Sequence, residues 1–98
     1  MKLSIIIPAF NEEKTIESLI KKVSDVFLEK SLEKEIIVVD DGSFDNTLNI
    51  LEKIKNQYNF ILEKHLKNQG KGSAIRTGIK KATGEFLTPK YFAEEYCH

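Results

Sequence analysis

Two adjacent carboxylates, Asp40 and Asp41, close an unbroken apolar run, Ile36-Ile-Val-Val39, and lead at once into Gly42 and Ser43. One acid and a glycine would make a turn, whereas a second acid at the end of a buried strand supplies a charged acceptor for a ligand. Two other segments carry comparable chemistry: Pro8-Ala-Phe-Asn-Glu12, and Asn68-Gln-Gly-Lys-Gly-Ser73. Phe10 can line the face of a flat base, and Asp41 can accept from a base N–H or from ribose hydroxyls. The glycines flanking Lys71 let backbone N–H groups approach an anion, with Lys71 and Arg76 adding positive charge for phosphate oxygens. Each residue taken alone also has a plainer explanation. Phe10 can be packing, Glu12 a first-turn acid facing a helix dipole, and Lys71 and Arg76 a solvated helix face. His65 lies close to Lys64 and Lys67 with no acid or thiolate at ligand spacing, and reads as an ordinary surface histidine.

These loops need elements to hold them. Leu3 to Ile7 reads as a first buried strand closed by Pro8, which cannot donate to a sheet ladder. Asn11 then reads as the cap of a helix whose apolar face is Ile16, Leu19, Ile20, Val23 and Phe27. A second unit repeats the plan: strand Ile36 to Val39, the loop through Asp45, and a helix through Leu48, Leu51 and Ile54 to about Asn56, with Tyr58 packing just beyond it. Phe60 to Leu62 is a short third strand. The polar loop then enters a helix burying Ile75, Gly78, Ile79 and Ala82, which Gly84 stops before a fourth strand at Glu85 to Leu87. Strand and helix alternate throughout, so the expected fold is α/β: a Rossmann-like parallel sheet with flanking helices and right-handed crossovers. The three loops would converge on one edge of that sheet.

Composition narrows the partners. The 98 residues are 41% hydrophobic, enough for one small domain but few for a doubly covered sheet. Fifteen basic residues offset fifteen acidic ones, so no global field gathers nucleic acid or an anionic membrane. The single Cys97 has no partner for an internal disulfide, which fits a reducing, cytoplasmic setting. Pro8 and the acids after it break the N-terminal apolar run too early for a signal peptide, and no segment approaches the roughly 20 apolar residues of a membrane span.

Taken in order and spacing, Ser4-Ile-Ile-Ile-Pro-Ala-Phe-Asn-Glu-Glu13, Ile37-Val-Val-Asp-Asp-Gly-Ser43 with Asp45 and Thr47, and Asn68-Gln-Gly-Lys-Gly-Ser-Ala-Ile-Arg-Thr-Gly78 with Ala82-Thr-Gly84 resemble the N-terminal half of family 2 glycosyltransferases. The similarity is strongest to the branch containing dolichyl-phosphate mannose and glucose synthases. It implies the GT-A fold and a nucleoside-diphosphate sugar, UDP- or GDP-linked, as ligand. It places Pro8, Phe10, Glu12, Asp40 and Asp41 around the nucleoside, with Lys71 and Arg76 near the nucleotide. The implied reaction is inverting sugar transfer to an acceptor such as a polyprenyl phosphate, at the cytoplasmic membrane face in intact relatives. A Mg²⁺ or Mn²⁺ ion would stabilise the leaving diphosphate.

The departure from the family pattern lies after Leu87. Such enzymes continue into an Asp-x-Asp motif that holds the metal, whereas here no aspartate follows Asp45. The expectation is therefore a partial nucleotide-binding domain over residues 1–87 and a divergent tail over 88–98, as a truncated or frame-shifted gene would leave. Such a chain retains no metal ligands and no catalytic base and is inactive alone; the alternative is a non-catalytic nucleotide-binding remnant. Two other classes fit poorly. A phospho-receiver domain needs its acid pair after the first strand, which here ends in Pro8. A P-loop needs Gly-x-x-x-x-Gly-Lys-Ser/Thr, and Gly72 separates Lys71 from Ser73.

Overall fold

The structure, a computed structural model, describes residues 2–25 and 33–87. Within them, strand and helix alternate as β1 (Lys2–Ala9), α1 (Ile16–Asp25), β2 (Glu33–Asp40), α2 (Thr47–Tyr58), β3 (Ile61–Lys64), α3 (Lys71–Lys81) and β4 (Glu85–Leu87). The four strands form one sheet in the order β3-β2-β1-β4, with every neighbouring pair parallel. This is the expected α/β class. Phe27 and the tail from Thr88 to His98 lie outside the described residues.

Strand alternation explains the layers. Ile5, Ile7 and Ala9 of β1 and Ile36 and Val38 of β2 point to one face, where Ile16, Leu19, Ile20 and Val23 of α1 and Leu51 and Ile54 of α2 cover them. Ile37 and Val39 point the other way and pack against Ala74 of α3. Both faces are thus buried, which is why β1 and β2 read as continuous apolar runs. The two crossovers through α1 and α2 step outward from β1 to β3, and the third, through α3, returns to the far side of β1. Keeping one hand while reversing direction puts α3 on the opposite face, and it creates a switch point between β1 and β4 at the carboxyl ends of the strands.

Several boundaries differ from the sequence reading. Pro8 does not close β1: it lies within the strand, paired opposite Val39, and the strand runs on to Ala9. On the other side of β1, β4 pairs only with Leu3, Ser4 and Ile5, so Pro8 has no described strand neighbour there to receive an N–H from it. β2 extends through Asp40, which sits inside the ladder opposite Ala9. Tyr58 is the last residue of α2, and Asn59, in the left-handed region with φ 55°, caps it. The third strand starts at Ile61, with Phe60 buried just before it.

Helix α3 is seated differently from the expected apolar face. Its buried residues are Ala74 and Gly78, whereas Ile75 and Ile79 are only half-buried and Ala82 lies just past the helix end. Gly78 is there for closeness: a Cβ on it would come within 2.3 Å of the Ile6 Cγ2 methyl. Gly78→Ala is therefore expected to destabilise the fold by about 1–3 kcal/mol through overpacking. Thermal unfolding checks this, and because Ile6→Ala removes the opposing methyl, the double variant should lose less than the two single losses added together. At the opposite end from the strand-end loops, the Ser4 hydroxyl donates to Glu35 (2.7 Å) and accepts from the Gly84 N–H (3.2 Å), while the Thr83 N–H donates to the same carboxylate oxygen (3.1 Å). That network ties the entry of β4 to β1 and β2.

Candidate nucleotide site

The loops after β1 and β2 are stitched together by hydrogen bonds that include Asn11, which reads from the sequence as a helix cap. Asn11 does not cap α1, which begins at Ile16; it sits in the left-handed region at φ 51°. Asparagine tolerates that conformation better than most residues, and here its polar groups face the second loop. The Asn11 N–H donates to Ser43 Oγ (2.9 Å) and its Oδ1 accepts from the Phe44 N–H (3.0 Å). Next along the chain, the Glu12 N–H donates to Thr47 Oγ1 (2.7 Å), and the Glu13 N–H reaches Asp45 Oδ2 (3.4 Å). Asp45 Oδ1 accepts from the Thr47 N–H (2.9 Å) and hydroxyl, which fixes the start of α2.

The third loop hangs on one carboxylate. Asp41, 3% exposed, accepts on Oδ1 from the Gln69 N–H (2.9 Å) and pairs there with His65 Nδ1 (2.8 Å). On Oδ2 it accepts from the Gly70 N–H (2.9 Å) and the Asn68 amide (3.1 Å). Four donors use all the lone-pair directions a carboxylate offers. Burial alone would raise the Asp41 pKa, but the hydrogen bonds from Gln69, His65 and Gly70 and the Coulombic attraction of His65 together hold it below the ordinary carboxylate value. Gly42 lets the loops meet: with φ +73°, it sits so near Asn68 that a Cβ would come 2.4 Å from the Asn68 nitrogen.

His65 is a correction to the sequence reading. Its side chain is only 8% exposed, and Nε2 lies 2.8 Å from Thr77 Oγ1 on α3 while Nδ1 engages Asp41. The nearby lysines suggested solvent; sheet register decides otherwise. Val39 pairs with Glu63 and Asp40 with Lys64, so the next step sets His65 beside Asp41 on the face turned toward α3. Register was the signal that would have found it, and single-sequence patterning does not supply register.

The remaining candidates gather along the same edge with different roles. Phe10 is 36% exposed and meets Phe44 edge-to-face, ring centroids 5.7 Å apart at 83°. Phe44, 84% exposed, was not singled out by sequence. Glu12 is held above its ordinary pKa by burial, partly offset by Lys71 and reinforced by Asp45, so these charges from three loops lie within Coulombic reach of one another. Lys71 opens α3, whose N-terminus has no side-chain cap among the described residues. Arg76 is exposed, and its Nη1 lies 3.6 Å from where a Gly72 Cβ would be, so the guanidinium turns back toward that terminus. Pro8 is half-buried in β1. Asp40 is fully buried: Oδ2 accepts from the Ser43 N–H (3.2 Å), and Oδ1 has no hydrogen-bond partner among the described residues.

These residues do not by themselves assemble a ligand set for a divalent ion. Asp41 already accepts four hydrogen bonds and both oxygens of Asp45 accept from the chain itself, which leaves Asp40 Oδ1 as the buried carboxylate oxygen without a partner among the described residues. Among the described residues no group of three or more His, Cys, Asp or Glu side chains is placed to hold a metal.

Comparison with known proteins bears on the family and the fold. The chain is 40% identical to a cholesterol galactosyltransferase of Borreliella burgdorferi, over 88% of its own length and 23% of the relative's. It is 32% identical to the poly-β-1,6-N-acetyl-D-glucosamine synthase of Staphylococcus aureus, over 98% of its length and 26% of the relative's. The crystal structure of S. aureus TarS 1-349 with UDP-GlcNAc superposes with a TM-score of 0.74 at 37% identity, covering 90% of this chain and 26% of that one. The mannosyltransferase PcManGT of Pyrobaculum calidifontis, solved with GDP-Man and Mn²⁺, gives 0.71 at 26% identity, over 84% of this chain and 24% of its own. The chain thus spans about a quarter of the length of these relatives. Residues 4–89 match the family model for glycosyl transferase family 2, and the chain belongs to that family.

Proposed function

We propose that this chain forms the nucleoside-binding part of a glycosyltransferase and takes a UDP- or GDP-sugar at the edge where its three loops meet. The observation that carries the reading is the Asp41 carboxylate, buried at a strand end and holding the Asn68-Gln69-Gly70 loop in place. Solved relatives with UDP-GlcNAc and GDP-Man bound support the ligand class.

In this reading the base lies against the Phe10 ring. Its N–H reaches Asp41 by displacing the Asn68 amide, the longest of the four contacts and the one made by an exposed side chain. The backbone donors from Gln69 and Gly70 stay in place. Asp40 Oδ1, buried and without a partner among the described residues, is an acceptor that a ribose hydroxyl or a water would satisfy. The diphosphate sits at the N-terminus of α3, where uncapped N–H groups, Lys71 and Arg76 meet its charge. Pro8 and Glu12, on the same segment as Phe10, complete the nucleoside side of the site.

Transfer needs more than these residues supply. A family 2 enzyme with bound divalent ion gains stabilisation of the departing diphosphate, and the described acids of this chain do not form that clamp. We therefore read the 98 residues as a binding unit without turnover of its own. The relatives' names point to different products, so the polyprenyl phosphate expected from resemblance is not carried further. No described helix is long and apolar enough to cross a membrane.

Calorimetric titration of the chain with UDP and GDP tests this reading. Weak, saturable binding is expected, with affinity unchanged by Mn²⁺ beyond the ion's own binding to the diphosphate, and with no sugar transferred from UDP- or GDP-sugars. A protein-dependent Mn²⁺ site, seen as paramagnetic broadening at Asp40 or Asp45, would remove the metal-free reading. Absence of any nucleotide binding would remove the site itself.

A further inference from the structure

We propose that His65 is a positioning residue for nucleotide binding, bridging Asp41 to Thr77 so that the carboxylate and the loop it carries are held in one pose; this rests on the nucleoside-site reading above. The geometry is a continuous chain across three elements. Asp41 follows β2, His65 follows β3, and Thr77 lies on α3, with both ring nitrogens at 2.8 Å from their partners. The backbone joins in, since the His65 N–H donates to the Asp40 carbonyl (2.8 Å).

Hydrogen-bond chemistry sets the direction. Asp41 is a carboxylate and only accepts, so Nδ1 carries the proton toward it. In the neutral ring Nε2 then accepts from the Thr77 hydroxyl; in the imidazolium it donates to the same oxygen. Thr77 satisfies either state by rotating its O–H, and the bridge does not depend on the ring's charge.

The bridge matters to the ligand because of what else Oδ1 holds. Gln69 N–H shares that oxygen with His65, and Gly70 N–H shares Oδ2 with Asn68. Three of those donors belong to one exposed loop, which cannot by itself fix the rotamer of the group it leans on. His65 comes from outside that loop, anchored on the sheet and on α3. It thereby sets Asp41 relative to the α3 terminus that presents Lys71 and Arg76.

The test uses the 98-residue chain, followed by nuclear magnetic resonance during UDP titration, with amide hydrogen exchange at Gln69 and Gly70. His65→Phe fills the same space without a donor. It is expected to weaken UDP binding by about tenfold, the worth of one hydrogen bond to a charged group, and to lose exchange protection at both amides. His65→Asn, whose amide nitrogen takes the place of Nδ1, should restore most of the affinity and protection. Thr77→Val should fall between them. Should His65→Phe fold poorly, the ¹⁵N spectrum of the wild-type ring decides: a protonated Nδ1 supports the bridge, and an Nδ1 without its proton overturns it. Wild-type affinity and protection in a folded His65→Phe would also overturn it. If the wild type itself binds no UDP, the site reading fails, and exchange at Gln69 and Gly70 still decides whether His65 positions the loop.

Discussion

Gly42→Ala is expected to unfold or rearrange the ligand edge outright, with a loss of about 2–5 kcal/mol of stability and of UDP binding. Two costs add. A non-glycine residue at φ +73° pays about 1–2 kcal/mol for the left-handed conformation. The added methyl would also lie 2.4 Å from the Asn68 nitrogen and 2.5 Å from the Lys67 carbonyl carbon, backbone atoms that cannot swing aside as a side chain would. Relief requires moving residues 67–68, and those residues lead directly into the two N–H groups that Asp41 holds. A shift of about 1 Å at that point is enough to spoil a ligand pose. Gly70→Ala is the informative comparison. Its φ is +99° but no described atom lies within 4 Å of the new Cβ, so it carries backbone strain without collision, about 1–3 kcal/mol. Chemical denaturation of both variants measures the difference. Wild-type stability for Gly42→Ala would mean that the third loop does not rest on Gly42.

The features legible in the sequence were those whose physics is local. Ile36 to Val39 announced a doubly covered strand because four apolar residues in a row leave no polar face, and Asp40-Asp41-Gly42-Ser43 marked where that strand gives way to a loop. The spacing of Ile16, Leu19, Ile20 and Val23 likewise gave α1 its buried stripe. What was misread depends on partners distant in sequence. Asn11 has the chemistry of a cap and the conformational tolerance of a turn residue. Which role prevails is set by Ser43 and Phe44, more than thirty residues away. Pro8 looked like a strand end because its lack of an N–H is visible, whereas the absence of a described strand neighbour on that side of β1 is not. The buried face of α3 went to Ala74 and Gly78 instead of its isoleucines because close approach to Ile6 rewards small residues there. His65 was missed for the same reason: its neighbours in sequence are lysines, and its neighbours in space are Asp41 and Thr77.

Replacing Asp41 is expected to remove both the loop and the ligand, and the choice of replacement separates charge from shape. Asp41→Ala leaves four donors without their acceptor. Water reaches some of them, so the expected cost is about 2–4 kcal/mol, with UDP affinity falling at least tenfold. Asp41→Asn keeps the volume, yet its single carbonyl oxygen can serve only one pair of donors. Its NH₂ would then face the other pair, N–H against N–H, and so it should recover little. Acid gives the same answer without mutation. The folded pKa of Asp41 lies below its ordinary value, so its contribution is complete above that value, near pH 3.9, and fades as pH falls through the depressed folded pKa. The wild-type melting temperature should therefore drop more steeply on acidification below about pH 4 than that of Asp41→Asn, whose side chain does not titrate. Parallel curves for the two proteins would show that the carboxylate's charge is not what holds Gln69 and Gly70. In that case the third loop stays in place by packing alone, and Asp41 is left with the ligand as its only partner of consequence.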